Sequence, residues 1–178
     1  MWDPDAYART LDFVATEHGT QLVPGSTHPY VTHLVKVAAE VQRSWLETRD
    51  FDVNLAVTCA LLHDSMEDAG VEEDVLVSTF GRAVAEGVKA LTKDEHLEKA
   101  LRMPDSLRRL LLQPKDVQLV KLADRITNLE APPAYWTKEK RLAYREEAKQ
   151  ILDALGPSNA WLARRLEARR EAYLAHCG

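Results

Sequence analysis

The chain is short of several things, and each shortage excludes a class of protein. Only two cysteines occur in 178 residues, Cys59 in an apolar stretch and Cys177 at the tail. A disulfide framework is thereby excluded, and the cytoplasm is the expected compartment. Seven glycines are few for this length, which disfavours a turn-rich all-β fold and favours long helices. No long apolar run is present: the longest, Leu55 to Leu62, falls far below the roughly 20 residues that a bilayer helix needs. The opening Met-Trp-Asp-Pro-Asp has neither a basic nor an apolar segment, so no secretory signal is expected. Positive charge is not in excess either. Lys and Arg number 23 against 28 Asp and Glu, a net charge of −5, which argues against a nucleic acid polymer as the main partner.

What is present is an ordinary globular composition, 46% hydrophobic and 29% charged. A domain of this length buries roughly 70% of its unfolded surface and needs no metal or disulfide merely to fold. Residues 1–178 therefore read as one domain. Asp3 before Pro4 is a helix start, followed by Tyr7, Leu11 and Val14 at helical spacing. After a turn from Pro24 to Pro29, His33, Leu34, Val37, Ala38, Val41 and Trp45 form one stripe. Asp52 caps a third helix with Leu55, Cys59, Leu62 and Met66 on its apolar face, and Gly70 marks a stop. Val75 to Leu91 reads as two short helices broken around Gly81. Thr92-Lys93-Asp94-Glu95 fits a capping box and predicts another start, while Pro104-Asp105 predicts a break and Ser106 to Leu112 a restart. Pro114 opens a helix that must end before Pro132-Pro133. Thr137 caps the next, up to Gly156-Pro157, and Ser158 caps the last. With no period-two alternation and no internal repeat, the fold class is all-α, a single helical bundle.

The chemistry concentrates in two segments. Ala60-Leu61-Leu62-His63-Asp64-Ser65-Met66-Glu67-Asp68 carries one histidine and three carboxylates straight after an apolar helix. On a continuing helix Asp64, Glu67 and Asp68 would stand at i, i+3 and i+4. Such acids are either a solvated helix end or, if drawn inward, a repulsive cluster that a divalent cation relieves. In Val120-Lys121-Leu122-Ala123-Asp124-Arg125-Ile126-Thr127-Asn128, the residues Lys121, Asp124, Arg125 and Asn128 share a stripe, and the apolar neighbours draw Asp124 inward. This stripe is either a salt-bridged face or part of a site. His33, on an otherwise apolar face, is either a core histidine or a ligand. Together the three elements supply two imidazoles and two carboxylates, a mixed set suited to one metal with positions left open.

The order His33, His63-Asp64, Asp124 resembles the metal-binding pattern of the HD-domain phosphohydrolases. It is closest to the hydrolase domain of the Rel/SpoT stringent-response enzymes and its free-standing versions, the small alarmone hydrolases. Pro29-Tyr30-Val31-Thr32-His33 resembles that family's PYxxH, Leu62 to Asp68 its LHDxxED, and Lys121 to Asn128 its KLADRxxN. Phe80-Gly81 with Leu91-Thr92-Lys93, and Pro132 to Trp136 with Tyr144, resemble further stretches of the small members. The resemblance implies an HD-type helical bundle and a Mn²⁺-dependent enzyme that removes the 3′-pyrophosphate from (p)ppGpp. It implies His33, His63, Asp64 and Asp124 as metal ligands and Glu67 and Asp68 as the pair handling water and protons. Asn128 would contact the nucleotide sugar and phosphates, with Lys99, Lys140 and Tyr144 as candidates for holding the pyrophosphate.

One departure bears on the base. Where the nucleotide hydrolases usually carry an Arg-Lys pair against the purine, this chain has Gln21-Leu22-Val23-Pro24. Some small members act on adenosine alarmones, so (p)ppApp joins (p)ppGpp as the expected substrate. Competing readings are another HD-domain nucleotidase or phosphodiesterase, and a catalytically silent nucleotide-binding domain. Glu67-Asp68, a pair that marks the pyrophosphohydrolase branch, speaks against the first, and that pair together with all four ligand positions speaks against the second.

Overall fold

The helix-start signals near the N-terminus act as the spacing predicts. In the computed structural model, which describes residues 2–178, Asp3 accepts from the Asp5 and Ala6 backbone N–H groups and opens α1 (Pro4–His18). A loop follows in which a single antiparallel bridge joins Leu22 to Pro29. α2 (Val31–Thr48) comes next, and Asp52 then opens α3 (Val53–Leu62) by accepting from Asn54 and Leu55 N–H. Beyond these lie α4 (Ser65–Asp68), α5 (Glu73–Phe80), α6 (Arg82–Leu91), α7 (Lys99–Leu110) and α8 (Lys115–Asn128). α9 (Lys138–Leu155), a 3₁₀ turn (Gly156–Ser158), α10 (Ala160–Ala172) and a second 3₁₀ turn (Tyr173–His176) complete the chain. The described residues form no strand, so the all-α expectation holds.

α3 is the axis of the bundle. Ala56, Val57, Cys59, Ala60, Leu61 and Leu62 are all buried, and a helix apolar on every side must be enclosed. It packs against α1, α2, α6 and α8, while α8 also meets α2, α9 and α10. Leu34, Val37, Ala38 and Val41 on α2 and Leu119, Val120, Leu122, Ala123 and Ile126 on α8 belong to the same core. His33 and Asp124 sit on these same inward stripes, which is how two polar groups come to lie inside.

Four local expectations fail, each for a visible reason. Thr92 does not start a helix: its hydroxyl donates back to the Val88 carbonyl and closes α6, and the next helix begins only at Lys99. Pro104 does not break that helix. It sits inside α7 on an exposed flank, and Ala100, whose carbonyl loses its backbone partner, is exposed as well. Ser158 belongs to the 3₁₀ turn, and Asn159 caps α10 instead by accepting from Leu162 N–H. Met66 is not on α3, which ends at Leu62.

Close approach of helices sets one further constraint. A Cβ on Gly87 of α6 would stand 3.0 Å from both Cys59 Sγ and Val117 Cγ2. Gly87→Ala, which in an open helix would stabilise by about 1 kcal/mol, is therefore expected to destabilise by about 1–3 kcal/mol through overpacking. A lowered urea midpoint checks this. Burial pushes the Cys59 thiol up to about 12, with Asp116 adding to the effect. Labelling of Cys59 by a thiol reagent at mildly alkaline pH should consequently follow unfolding, as read by peptide mass spectrometry across a denaturant series.

Candidate metal centre and active site

The end of α3 is written into its side chains. His63 Nδ1 lies 2.8 Å from the Ala60 carbonyl oxygen, and Ser65 Oγ donates to the Leu62 carbonyl at 2.6 Å. These side chains occupy carbonyls that a continuing helix would give to backbone N–H groups, so the helix stops there. Asp64 then takes φ −102° and ψ 2°, and the chain re-enters helix as the four-residue α4. The expected single helix through Asp68 is thus two helices with a step between them. The step turns His63 and Asp64 toward α2 and α8.

Four potential ligand atoms meet at this step. His33 Nε2, from α2, is 3.4 Å from Asp124 Oδ1 of α8 and 3.7 Å from Asp64 Oδ2. His63 Nε2 is 2.9 Å from Asp64 Oδ2 and 3.5 Å from Asp124 Oδ1. Ligand atoms of His33, His63 and Asp64 all lie within 4.8 Å of one another, and Asp124 faces both imidazoles from the other side. The imidazoles are oriented from behind. His63 Nδ1–H donates to the Ala60 carbonyl. Thr127 Oγ1 donates to the Asp124 backbone carbonyl at 2.9 Å and so presents a lone pair to His33 Nδ1, 3.3 Å away. Both rings consequently turn Nε2 inward, the arrangement metal-bound histidines adopt. His63 Nε2 is buried and has no well-directed hydrogen-bond partner.

Burial alone would depress the His63 imidazole, but Asp64 and Asp124 beside it outweigh that and push it up to about 10. Burial would raise both carboxylates; His63 holds Asp64 low instead, and Lys121 with the two imidazoles holds Asp124 well below its ordinary range. The pocket therefore concentrates negative charge and favours positive charge beside it. Further contacts fix the carboxylates. Tyr30 Oη donates to Asp64 Oδ2 at 2.5 Å, and Lys121 Nζ reaches Asp124 Oδ2 at 3.2 Å. Asn128 Nδ2 donates to Asp124 Oδ1 at 2.5 Å. The Tyr30 contact was not anticipated, although its position one turn before His33 is a usable signal.

Glu67 and Asp68 diverge beyond the step. Glu67 Oε2 accepts from the Lys93 backbone N–H at 3.1 Å, and Asp68 Oδ2 accepts from Gln21 Nε2 at 3.1 Å. Beside His33 opens a cavity of about 540 Å³ lined by Asn128, Tyr144, Trp136, Lys36 and Glu130 among others. Gly25, at φ +77°, brings its loop against Pro133 at this cavity: a Cβ there would come within 2.9 Å of Pro133 Cβ. Asn128 and Tyr144 are thus gathered at the site as expected. Lys140 is exposed and stands outside the lining, with Nζ 4.2 Å from the centre of the Trp136 ring. Lys99 is exposed at the start of α7 and is not among the residues lining this cavity. Trp136, a wall of the cavity, had been read only as part of a motif. A slightly larger depression, about 620 Å³, lies between α6 and α7. Its lining includes none of His33, His63, Asp64 and Asp124, so the site is assigned to the cavity beside His33.

A family model for the HD domain matches residues 10–158. The chain belongs to the HD-domain family. Among its relatives is the guanosine-3′,5′-bis(diphosphate) 3′-pyrophosphohydrolase MESH1 of Danio rerio, 32% identical over 164 residues, or 89% of this chain and 88% of that one. MESH1 of Drosophila melanogaster is 32% identical over 167 residues, 90% of each chain. A solved structure described as a metazoan ortholog of SpoT that hydrolyzes ppGpp matches with a TM-score of 0.84 at 28% identity, covering 97% of both chains. The resemblance to the small alarmone hydrolases is borne out by these relatives.

Within this HD-domain protein, Lys121 and Asp124 are each only 5% exposed. Lys121→Met strips the buried Asp124 carboxylate of its fixed cation. In chelator-treated protein this should cost about 3–5 kcal/mol, measured by chemical denaturation.

Proposed function

We propose that this HD-domain protein is a metal-dependent pyrophosphohydrolase that removes the 3′-pyrophosphate from nucleotide alarmones, (p)ppGpp and (p)ppApp. The observation that carries the reading is the convergence of two inward Nε2 atoms and two carboxylate oxygens from separate elements, next to a cavity of about 540 Å³. The donor set fits a divalent transition metal: both imidazoles donate from Nδ1, which leaves Nε2 as a ligand, and the carboxylates are ionised. His33, His63, Asp64 and Asp124 would hold it, with Mn²⁺ as the expected ion. When bound, such a cation supplies charge neutralisation on phosphoryl oxygens and acidifies water.

The side chains divide the remaining work. Asn128, anchored through its amide N–H to Asp124, keeps its own carbonyl oxygen free for a sugar hydroxyl. Tyr144 and the Trp136 ring, 5.0 Å apart between centroids in an edge-on arrangement, wall the cavity. Water attacks the phosphorus bonded to the 3′ oxygen; the new O–P bond forms as the 3′ O–P bond breaks. Glu67 and Asp68 orient the water and take its proton, and a proton returned to the 3′ oxygen completes a free hydroxyl and pyrophosphate. Lys140, over the Trp136 ring that walls the cavity, is the outer cation toward the pyrophosphate, and Lys99, exposed on α7 away from the lining, is assigned no role.

Base preference follows from what is missing. Gln21 is tied to Asp68, and Val23 and Pro24 line the cavity. Lys36, which also lines it, is held by Glu130 at 2.9 and 3.1 Å. The two purines share the N7 acceptor and differ at position 6, where guanine presents an acceptor that wants a free donor and adenine offers a donor. Adenosine 3′-pyrophosphates should accordingly be hydrolysed at least as well as guanosine ones. Side-by-side kcat/KM for ppApp and ppGpp, with product identification, tests both halves: orthophosphate release would refute pyrophosphohydrolysis, and a strong guanosine preference would refute the base reading. Asp64→Ala should lose metal and turnover together. Glu67→Gln should keep metal and fold but lose about 10²–10⁴ in rate, as metal analysis beside kinetics will show.

A further inference from the structure

We infer that Gln21 is a positioning residue for Asp68, locked in place by His18. The inference rests on the pyrophosphohydrolase reading, in which Asp68 handles a proton. Gln21 lies outside the metal ligands and the cavity lining, yet its side chain is fully engaged. Its Nε2 donates to Asp68 Oδ2 at 3.1 Å, and its Oε1 lies 2.7 Å from His18 Nδ1. An ionised carboxylate only accepts, so the amide must turn its NH₂ toward Asp68 and its oxygen toward His18. That orientation in turn requires His18 to carry its proton on Nδ1.

The foundation of this chain is rigid. Gln21 N–H donates to the His18 carbonyl at 2.9 Å, and the Gln21 carbonyl accepts from Tyr30 N–H at 2.8 Å. The His18 ring is buried and stacks on Tyr30, with centroids 5.0 Å apart and planes 23° from parallel. Tyr30 is the same residue whose hydroxyl holds Asp64. One platform therefore fixes a metal ligand through Tyr30 and the proton-handling acid through Gln21. Asp68 needs such a hold because it is exposed and closes a helix of only four residues, too short to be rigid by itself. Glu67 has a separate anchor in a backbone N–H, so the two acids are set independently.

The test is Gln21→Met, which keeps the length and removes the amide, alone and combined with Asp68→Asn. The single variant should lose about 10- to 100-fold in kcat with KM and metal content near wild type, and should melt a few degrees lower because the buried His18 Nδ1–H loses its acceptor. Added to Asp68→Asn, it should cause no further loss. Unchanged kcat, a raised KM in place of a lowered kcat, or losses that multiply in the double variant would each overturn the inference. Should Asp68→Asn itself turn over normally, the role given to Asp68 fails and the inference with it; normal loss there with none in Gln21→Met sinks the inference alone. Independently of activity, imidazole ¹⁵N spectra of wild type should show His18 as the Nδ1–H tautomer, and the Nε2–H form would refute the chain.

Discussion

Two carboxylates inside a helical bundle, Asp64 and Asp124, face one pair of imidazoles, and their charge must be answered locally. Unanswered charge in the interior is among the costliest things a fold can contain. Here the answer is distributed: Lys121 takes one oxygen of Asp124, Asn128 and the imidazoles address the other, and Tyr30 donates to Asp64. Much of the architecture serves that arrangement. α3 runs through the middle of the core so that the residue just past its end, His63, arrives at the same place where α2 delivers His33 and α8 delivers Asp124.

The step between α3 and α4 makes the delivery possible. A straight helix would carry His63 and Asp64 around its axis by about 100° per residue, sending them to different neighbours. By giving the Ala60 and Leu62 carbonyls to side chains, the sequence ends one helix and re-aims the next. The same step leaves Glu67 and Asp68 on a short helix whose side chains are held from outside, by the Lys93 backbone and by Gln21.

Much of this was legible before any coordinates. Asp3, Asp52 and Thr137 read correctly as helix starts because a cap is a local interaction between near neighbours in the chain. His33 stands out as a histidine on an apolar face, His63 and Asp64 as the start of a polar run that ends an apolar helix, and Asp124 as an acid among apolar neighbours, and the family resemblance joins the four into one set. Thr92 and Pro104 misled for the opposite reason: a hydroxyl can bond backward as well as forward, and a proline's cost depends on which side of the helix meets water. The α3–α4 step was hidden because Met66 prolongs the apolar pattern across it. Gln21 was legible only as the lack of a cation, since its partners His18 and Asp68 come from opposite sides in the chain. Lys99 and Lys140 carried the right charge for a pyrophosphate, but charge alone gave no information on which face each helix would present.

α8 also reaches the opposite way. Arg125, the residue after Asp124, donates to the Tyr144 carbonyl at 3.1 Å and to Glu147 at 3.2 Å, and its guanidinium lies 4.0 Å over the Tyr144 ring. Asp124 and Arg125 are thus adjacent links in one rigid span from the imidazoles to α9. The wall that bears Tyr144 is bolted to the helix that bears Asp124, so the distance between the histidine–carboxylate cluster and that aromatic wall behaves as a fixed gauge. Any change in the width of the cavity therefore falls to the opposite boundary, the loop around Gly25 and the segment around Pro133, where loop backbone rather than packed helix forms the wall.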